Sequence, residues 1–220
     1  MIQPRYCTQG LIDPLLPQVT FKITHKDAEM AQITIVYHSG YGHTQKQAEA
    51  VHAGIKAVSG ITSTLLSINQ EGDISDQDWG LLKDSDTIIF GSPTYMGSAS
   101  WQFKKFADAS SKPWFVQDWK DKLAAGFTNS ASLNGDKLST LHAMFTLAMQ
   151  HGMVWVSTGM MPANTQAANR NDINYLGSYS GLMAQSPSGS SPEEGPLPGD
   201  LETAKQFGER VAQITKRWAA

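Results

Sequence analysis

The chain has 220 residues, 40% of them hydrophobic, a formal net charge of -3 and a single cysteine, Cys7. That size and apolar content suit one α/β unit with a full core. The lack of a basic stripe argues against a nucleic-acid partner, one cysteine excludes an internal disulfide, and no apolar run reaches membrane-spanning length. With no basic segment leading into an apolar core at the start, a cytoplasmic location is expected.

Residues 1–30 read as an irregular N-terminal extension, broken by Pro4, Pro14 and Pro17, ahead of a domain spanning 31–220. Cys7 lies there with no basic neighbour to activate it. Ile33-Thr34-Ile35-Val36-Tyr37 predicts a buried strand. The small residues Ser39, Gly40 and Gly42 follow, and beyond Thr44 the apolar residues Ala48, Val51 and Ile55 fall on one helical face. A strand, a glycine-rich turn and a helix N-terminus in that order form an anion site, because the unpaired N–H groups and the positive dipole end face whatever sits over the turn. A βα turn that binds nothing is the alternative. The nucleotide-hydrolase loop is excluded: His43 stands where its lysine belongs and Tyr37 where its first glycine belongs. The dinucleotide fingerprint stops at Gly40 and Gly42, since residue 45 is Gln. One phosphate, held by N–H groups and the hydroxyls of Ser39 and Thr44, fits flavin mononucleotide (FMN) better.

Further on, Ile61–Ile68 predicts a second strand, 71–80 an acidic surface connection, and Thr87–Phe90 a third strand. The small-residue loop Gly91–Ser98 then faces the same crevice as the first, with Pro93 stiffening it and Gly97 permitting close approach to a flat ring. Trp101, Phe103 and Phe106 begin an aromatic-faced helix. The stretch 110–122 carries Trp114, Phe115 and Trp119, which suits a subunit interface, an aromatic substrate slot or the core. Leu123–Thr128 is the fourth strand, and the loop 129–136, with Asn129, Ser130, Asn134 and Gly135, can hydrogen-bond a ring's polar edge. A helix over 137–150, a fifth strand at Met153–Val156, a long Gly-, Ser- and Pro-rich loop over 157–199 and a helix capped by Asp200 complete the chain. The expected fold is a doubly wound five-stranded parallel sheet with helices on both faces.

The Ser39-Gly40-Tyr41-Gly42-His43 loop resembles the phosphate loop of WrbA-type NAD(P)H:quinone oxidoreductases, within the flavodoxin-like superfamily. Phe90–Gly97 is similar to that family's ring loop, Trp114 to its aromatic residue before the fourth strand, His151-Gly152-Met153 to its His-Gly-Met segment, and 176–181 to its Pro-Tyr-Gly region. The resemblance runs from about residue 32 to the C-terminus. It implies bound FMN, two-electron reduction of a quinone by NADH or NADPH, and a homodimer or homotetramer. It places Ser39–Thr44, Pro93–Gly97, Thr128, Asn129, Ser130, Asn134 and Gly135 at the cofactor, Trp114 at the substrate and His151 as a donor near the ring. Two departures stand out: Tyr95-Met96 replaces Arg-Phe, and the third loop lacks the family's run of glycines. Because the cofactor carries the chemistry, no nucleophile and no metal are expected. The rival readings are a flavodoxin-like single-electron carrier, and a regulatory protein that has kept the fold and lost the cofactor.

Overall fold

The computed structural model describes residues 30–220, so the extension and Cys7 lie outside the described residues, Met30 apart. The elements are β1 (Ala31–Tyr37), α1 (His43–Lys56), β2 (Ile61–Ser67), α2 (Asp76–Asp84), β3 (Thr87–Tyr95), β4 (Ser98–Ala99), α3 (Trp101–Ala109), α4 (Ser111–Phe115), β5 (Leu123–Ser130), α5 (Lys137–Gln150), β6 (Val154–Trp155), β7 (Leu182–Gln185) and α6 (Pro198–Trp218). The main path of the sheet is β2-β1-β3-β5-β6, every pair parallel, in the expected doubly wound order. Strand alternation sends Ile33, Ile35 and Ile89 to one face, where they meet Val51, Ile55, Phe207 and Val211 of α1 and α6. It sends Val36, Ile88 and Phe90 to the other, against Phe103, Phe106, Leu141 and Met144 of α3 and α5. Trp119 is fully buried in this second core, stacked near Trp79 and Phe106, so it serves neither an interface nor a slot.

The structure corrects the sequence reading at four places. Of the connection expected over 71–80, residues 76–80 belong to a helix, α2, that continues to Asp84. Ser75 and Asp78 close a capping box, with the Asp78 N–H donating to Ser75 Oγ at 3.2 Å and the Ser75 N–H to Asp78 Oδ2 at 2.9 Å. The loop predicted after Phe90 is a strand as far as Tyr95, which turns at Met96 (φ 48°) and Gly97 (φ 76°) to pair antiparallel with β4. Two consecutive positive φ values are what a tight hairpin of this hand requires. A Cβ on Gly97 would meet no protein atom within 4 Å, and it is the positive φ of the turn that favours glycine there. Asp200 is not the cap of α6: Leu197 is, and Asp200 lies in the first turn.

The fourth correction concerns the edge of the sheet. The fifth strand position is filled in two pieces: β6 pairs with Leu123 and Ala124, and β7 with Phe127–Ser130. Residues 156–181 leave the edge and return to it, so the fifth position of the expected sheet holds two short strands, and with β4 of the hairpin the strands number seven. Asn174 supplies the excursion with hydrogen bonds that a ladder would otherwise provide. Its side chain donates to the carbonyls of Met160 and Ser178 and accepts from the Ser178 N–H.

Candidate functional site

A cleft of about 760 Å³ opens at the C-terminal ends of β1, β3 and β5. Its walls come from four segments: Tyr41, His43 and Thr44; Pro93–Met96; Asn129–Ala131; and Ser186–Ser190. The first three are the loops picked out in the sequence. The fourth was missed, since a Ser-, Pro- and Gly-rich run signals only a turn. It reaches the cleft because β7 is paired to β5 directly before it.

The first loop is built by Gly42, whose φ of 89° lets the chain turn from β1 into α1. Ser39 Oγ accepts from the N–H groups of Gly42 (3.1 Å) and Gln45 (3.2 Å), so this hydroxyl closes the loop on itself. The N–H groups of Tyr41, His43 and Thr44 have no acceptor among the described residues, and they stand at the start of α1. The Thr44 side chain is nearly buried, at 2% exposed, and lines the cleft. Orphan donors at a helix N-terminus beside a buried hydroxyl fit a phosphate group. His43 does something else: its Nδ1–H donates to the Gly195 carbonyl at 2.9 Å, tying the loop to the segment that forms the fourth wall. The Tyr95 ring crosses Gly40, where a Cβ would lie 2.6 Å from the Tyr95 hydroxyl and the ring would have to shift to admit it.

The remaining predicted residues divide. Pro93, Tyr95 and Met96 line the cleft. Met96 is fully exposed at the hairpin tip, and Tyr95 packs edge-on against Tyr41 at 6.1 Å between ring centres. Thr94 also lines it, but its hydroxyl is engaged with those of Thr128 (2.7 Å) and Thr140 (2.8 Å), which lock β3, β5 and α5 together. Thr128 itself is buried and away from the lining. Asn129 Oδ1 accepts from Ser186 Oγ, joining the third wall to the fourth. Asn134 lies outside the cleft, in a groove with Tyr175–Ser180, and Gly135 packs against Ser130.

The structure does not bring Trp114 and His151 to this cleft. Both line a separate groove of about 510 Å³ beside α3 and α5. Trp114 Nε1–H donates to the Gln150 carbonyl at 3.0 Å. His151 is 6% exposed, 4.2 Å from the Trp119 ring, with Nε2 bonded to Ser110 Oγ. Within one chain it is a packing residue held under the aromatic core, because α5 begins at the cleft wall with Lys137 and runs back to end at His151 beside the start of β5, the opposite end of the strands. Burial holds its imidazole down to about 4 from the ordinary 6.5. Below pH 6.5 the unfolded chain binds a proton that the folded state refuses, so stability falls between about pH 6.5 and about 4. The full loss is on the order of 3 kcal/mol, at about 1.4 kcal/mol per pKa unit. Urea unfolding at neutral pH and near pH 4.5 should show this drop, and His151→Gln should remove most of it. A drop of the same size in the variant would place the acid sensitivity elsewhere.

Two further features went unforeseen. Lys137 is fully buried behind Ser130, and Arg170 pairs with Asp200 through two hydrogen bonds of 2.9 and 2.7 Å. Neither has a local sequence signal, since each depends on a partner distant in the chain or on the closure of a loop. The cleft lining contains no Lys, Arg, Asp or Glu. Among the described residues no group of three His, Cys, Asp or Glu could hold a metal ion, and no helix is long and apolar enough to cross a membrane.

Comparison with known proteins gives the following likenesses. The profile of the NADPH-dependent FMN reductase family matches residues 80–168. The chain is 52% identical over 185 residues to the protein named Flavodoxin FldP of Pseudomonas aeruginosa, covering 84% of this chain and 97% of that one. It is 32% identical to a protein of Geotalea uraniireducens named NAD(P)H dehydrogenase (quinone), covering 86% and 99% of the two chains. Among solved structures, a flavodoxin, WrbA-like protein from Agrobacterium tumefaciens superposes with a TM-score of 0.69 at 48% identity, over 85% of this chain and 98% of that one. A flavodoxin from the domain Archaea, at 20% identity and a TM-score of 0.57 over 84% and 99% of the chains, shares the fold.

Proposed function

Because the chain belongs to the flavodoxin-like superfamily, together with the relatives just described, we propose that it is an FMN-binding oxidoreductase that passes electrons from NADH or NADPH to a quinone or similar aromatic acceptor. The observation that carries this reading is the cleft itself: orphan N–H donors at the start of α1, a slot between Tyr95, Met96 and Pro187, and a lining without formal charge. The N–H groups of Tyr41, His43 and Thr44 and the Thr44 hydroxyl would hold the phosphate. The walls at Pro93–Met96 and Asn129–Ser130 would flank the ring. When bound, FMN would supply the redox chemistry, taking two electrons from a nicotinamide and giving them up to the acceptor. The protein's part is to orient both partners and exclude water. An uncharged apolar slot favours a neutral ring such as a quinone over an ionised acceptor, whose desolvation it would not repay. His151 enters this scheme only if a second chain brings its groove to the cleft. The exposed Trp101, Trp114, Phe115, Phe145 and Met149 around α3–α5 support self-association of that kind.

A second reading is favoured by one observation. The lining offers no cation to a nicotinamide's phosphates, as suits a single-electron carrier that is reduced by a partner protein. One experiment separates the two. The purified protein is saturated with FMN, its visible spectrum is recorded, and NADH, NADPH and then benzoquinone are added. A flavin band that bleaches with a nicotinamide and returns with quinone supports the reductase. Bound flavin that neither nicotinamide reduces overturns it in favour of the carrier, and failure to bind FMN overturns both.

A further inference from the structure

The third wall of the cleft is held by a charge that touches no carboxylate. Lys137, the first residue of α5, has no exposed surface. Its Nζ donates to Ser130 Oγ at 2.9 Å, to the Ser132 carbonyl at 2.7 Å and to the Leu133 carbonyl at 2.9 Å. These bonds use all three ammonium donors, and every acceptor is neutral. The carboxylate whose field reaches it, Asp200, is already engaged by Arg170. The ammonium also stands in the first turn of a helix, where the dipole disfavours a cation. Burial, with Arg170 adding to it, holds this lysine down to about 8, against the opposing pull of Asp200. A buried cation with no anion beside it is an expensive way to tie down a loop, since neutral donors would serve. Ser130 lines the cleft, and its Oγ accepts from Lys137 while donating to the Ser132 carbonyl, so the charge stands directly behind this wall and reaches an occupant through its field rather than through a donated proton.

We propose that Lys137 is a positioning residue whose charge, standing behind Ser130 at the cleft wall, favours the reduced over the oxidised state of a flavin bound there and so raises its reduction potential. This rests on the FMN reading above. The charge balance is simple: two electrons and one proton convert the neutral oxidised ring to a monoanion, and Lys137 forms no bond to it. In the test, dithionite supplies the electrons. The charged and titratable groups around Lys137 are Asp200 and Arg170, Asp136 directly before it in the chain, and His43, Tyr41 and Tyr95 on the other walls of the cleft.

The test is an anaerobic redox titration of the FMN-loaded protein against dyes of known potential, for wild type, Lys137→Met and Lys137→Arg. In Lys137→Met the preference for reduced over oxidised FMN should fall at least about tenfold, equivalent to about 30 mV in a two-electron potential. Lys137→Arg should stay close to wild type. The affinities for oxidised and for reduced FMN are measured in each variant: a loss greater for the reduced form marks the charge, whereas an equal loss for both marks a structural tether and overturns the proposal. An unchanged potential in Lys137→Met, with FMN still bound, overturns the proposal and leaves Lys137 as a tether. A second measurement needs no variant. If reduction draws the lysine's proton in more tightly, the wild-type potential between about pH 7 and 10 should show a segment taking up one extra proton per two electrons. A single constant slope across that range counts against the proposal. Wild-type protein that binds no FMN overturns the FMN reading itself, an outcome distinct from a bound flavin whose potential ignores Lys137.

Discussion

Gly42→Val is expected to weaken FMN binding by about two orders of magnitude while leaving the fold in place. At a φ of 89° an L residue costs about 1–2 kcal/mol, and a β-branched one more. A Cβ there would also lie 2.7 Å from Cγ of Pro192. For Pro192 to withdraw, its segment would have to strain the His43–Gly195 hydrogen bond that ties it to the first loop. Either the first turn of α1 unwinds, which removes the N–H donors, or the fourth wall lifts from the cleft. A combined cost of about 3 kcal/mol corresponds to about a hundredfold in affinity. Titrating FMN fluorescence with the apoprotein measures this, with far-ultraviolet circular dichroism to check the fold. Wild-type affinity in the variant would remove the phosphate from this loop. Gly42→Ala, which meets the same strain with less bulk, should fall between the two.

Asp200→Ala should cause the largest loss of stability, about 3–5 kcal/mol, as expected when one member of a buried ion pair is removed. Asp200 is 3% exposed, and the Arg170 side chain is 24% exposed. Removing the carboxylate leaves the guanidinium with only Gln185 Oε1 and the Tyr175 ring as partners, and also leaves the Gln185 N–H without its 2.8 Å acceptor. Gln185 ends β7 and donates from Nε2 to the Ala131 carbonyl, so the damage spreads to the third wall. At about 2–4 °C per kcal/mol for a chain of this size, the melting temperature should fall on the order of 10 °C. Thermal and urea unfolding of the FMN-free protein would measure it. A shift of less than about 1 kcal/mol would mean that the pair is screened like a surface bridge and does not anchor β7. Arg170→Met should be destabilising as well, because it leaves a carboxylate that is 3% exposed without its ion-pair partner, with the Gln185 N–H still donating to it.

Both effects bear on which parts of this molecule could be read without coordinates. The first loop was legible because its causes are local. A β-branched run, three small residues and a 3.6-residue apolar period sit side by side, and each acts on its immediate neighbours. The bounds of α5 were legible for the same reason, and so was the alternation of strands and helices that yields the doubly wound order. Where the reading failed, the cause was nonlocal. Residues 76–84 looked polar because only Leu82 among them is fully buried, and the capping box that starts the helix was overlooked although Ser75 and Asp78 have the required spacing. The hairpin at Met96-Gly97 was taken for a loop because a strand of small residues carries no hydrophobic signature.

By itself, then, the sequence determined the five-position parallel sheet with helices on both faces and three of the four walls of the cleft, since those follow from propensity and periodicity over a few residues. The tertiary structure alone decided the rest. The edge strand divides because β7 finds the free half of β5, and that pairing delivers Ser186–Ser190 to the cleft. His151 and Trp114 lie away from the cleft because α5 runs back along the strands and ends beside the start of β5, where Trp114 donates to the Gln150 carbonyl. Lys137 acquires its place only when loop 130–133 folds around the ammonium. In each case the deciding contact joins residues that the chain alone does not bring together, and burial then fixes its energy.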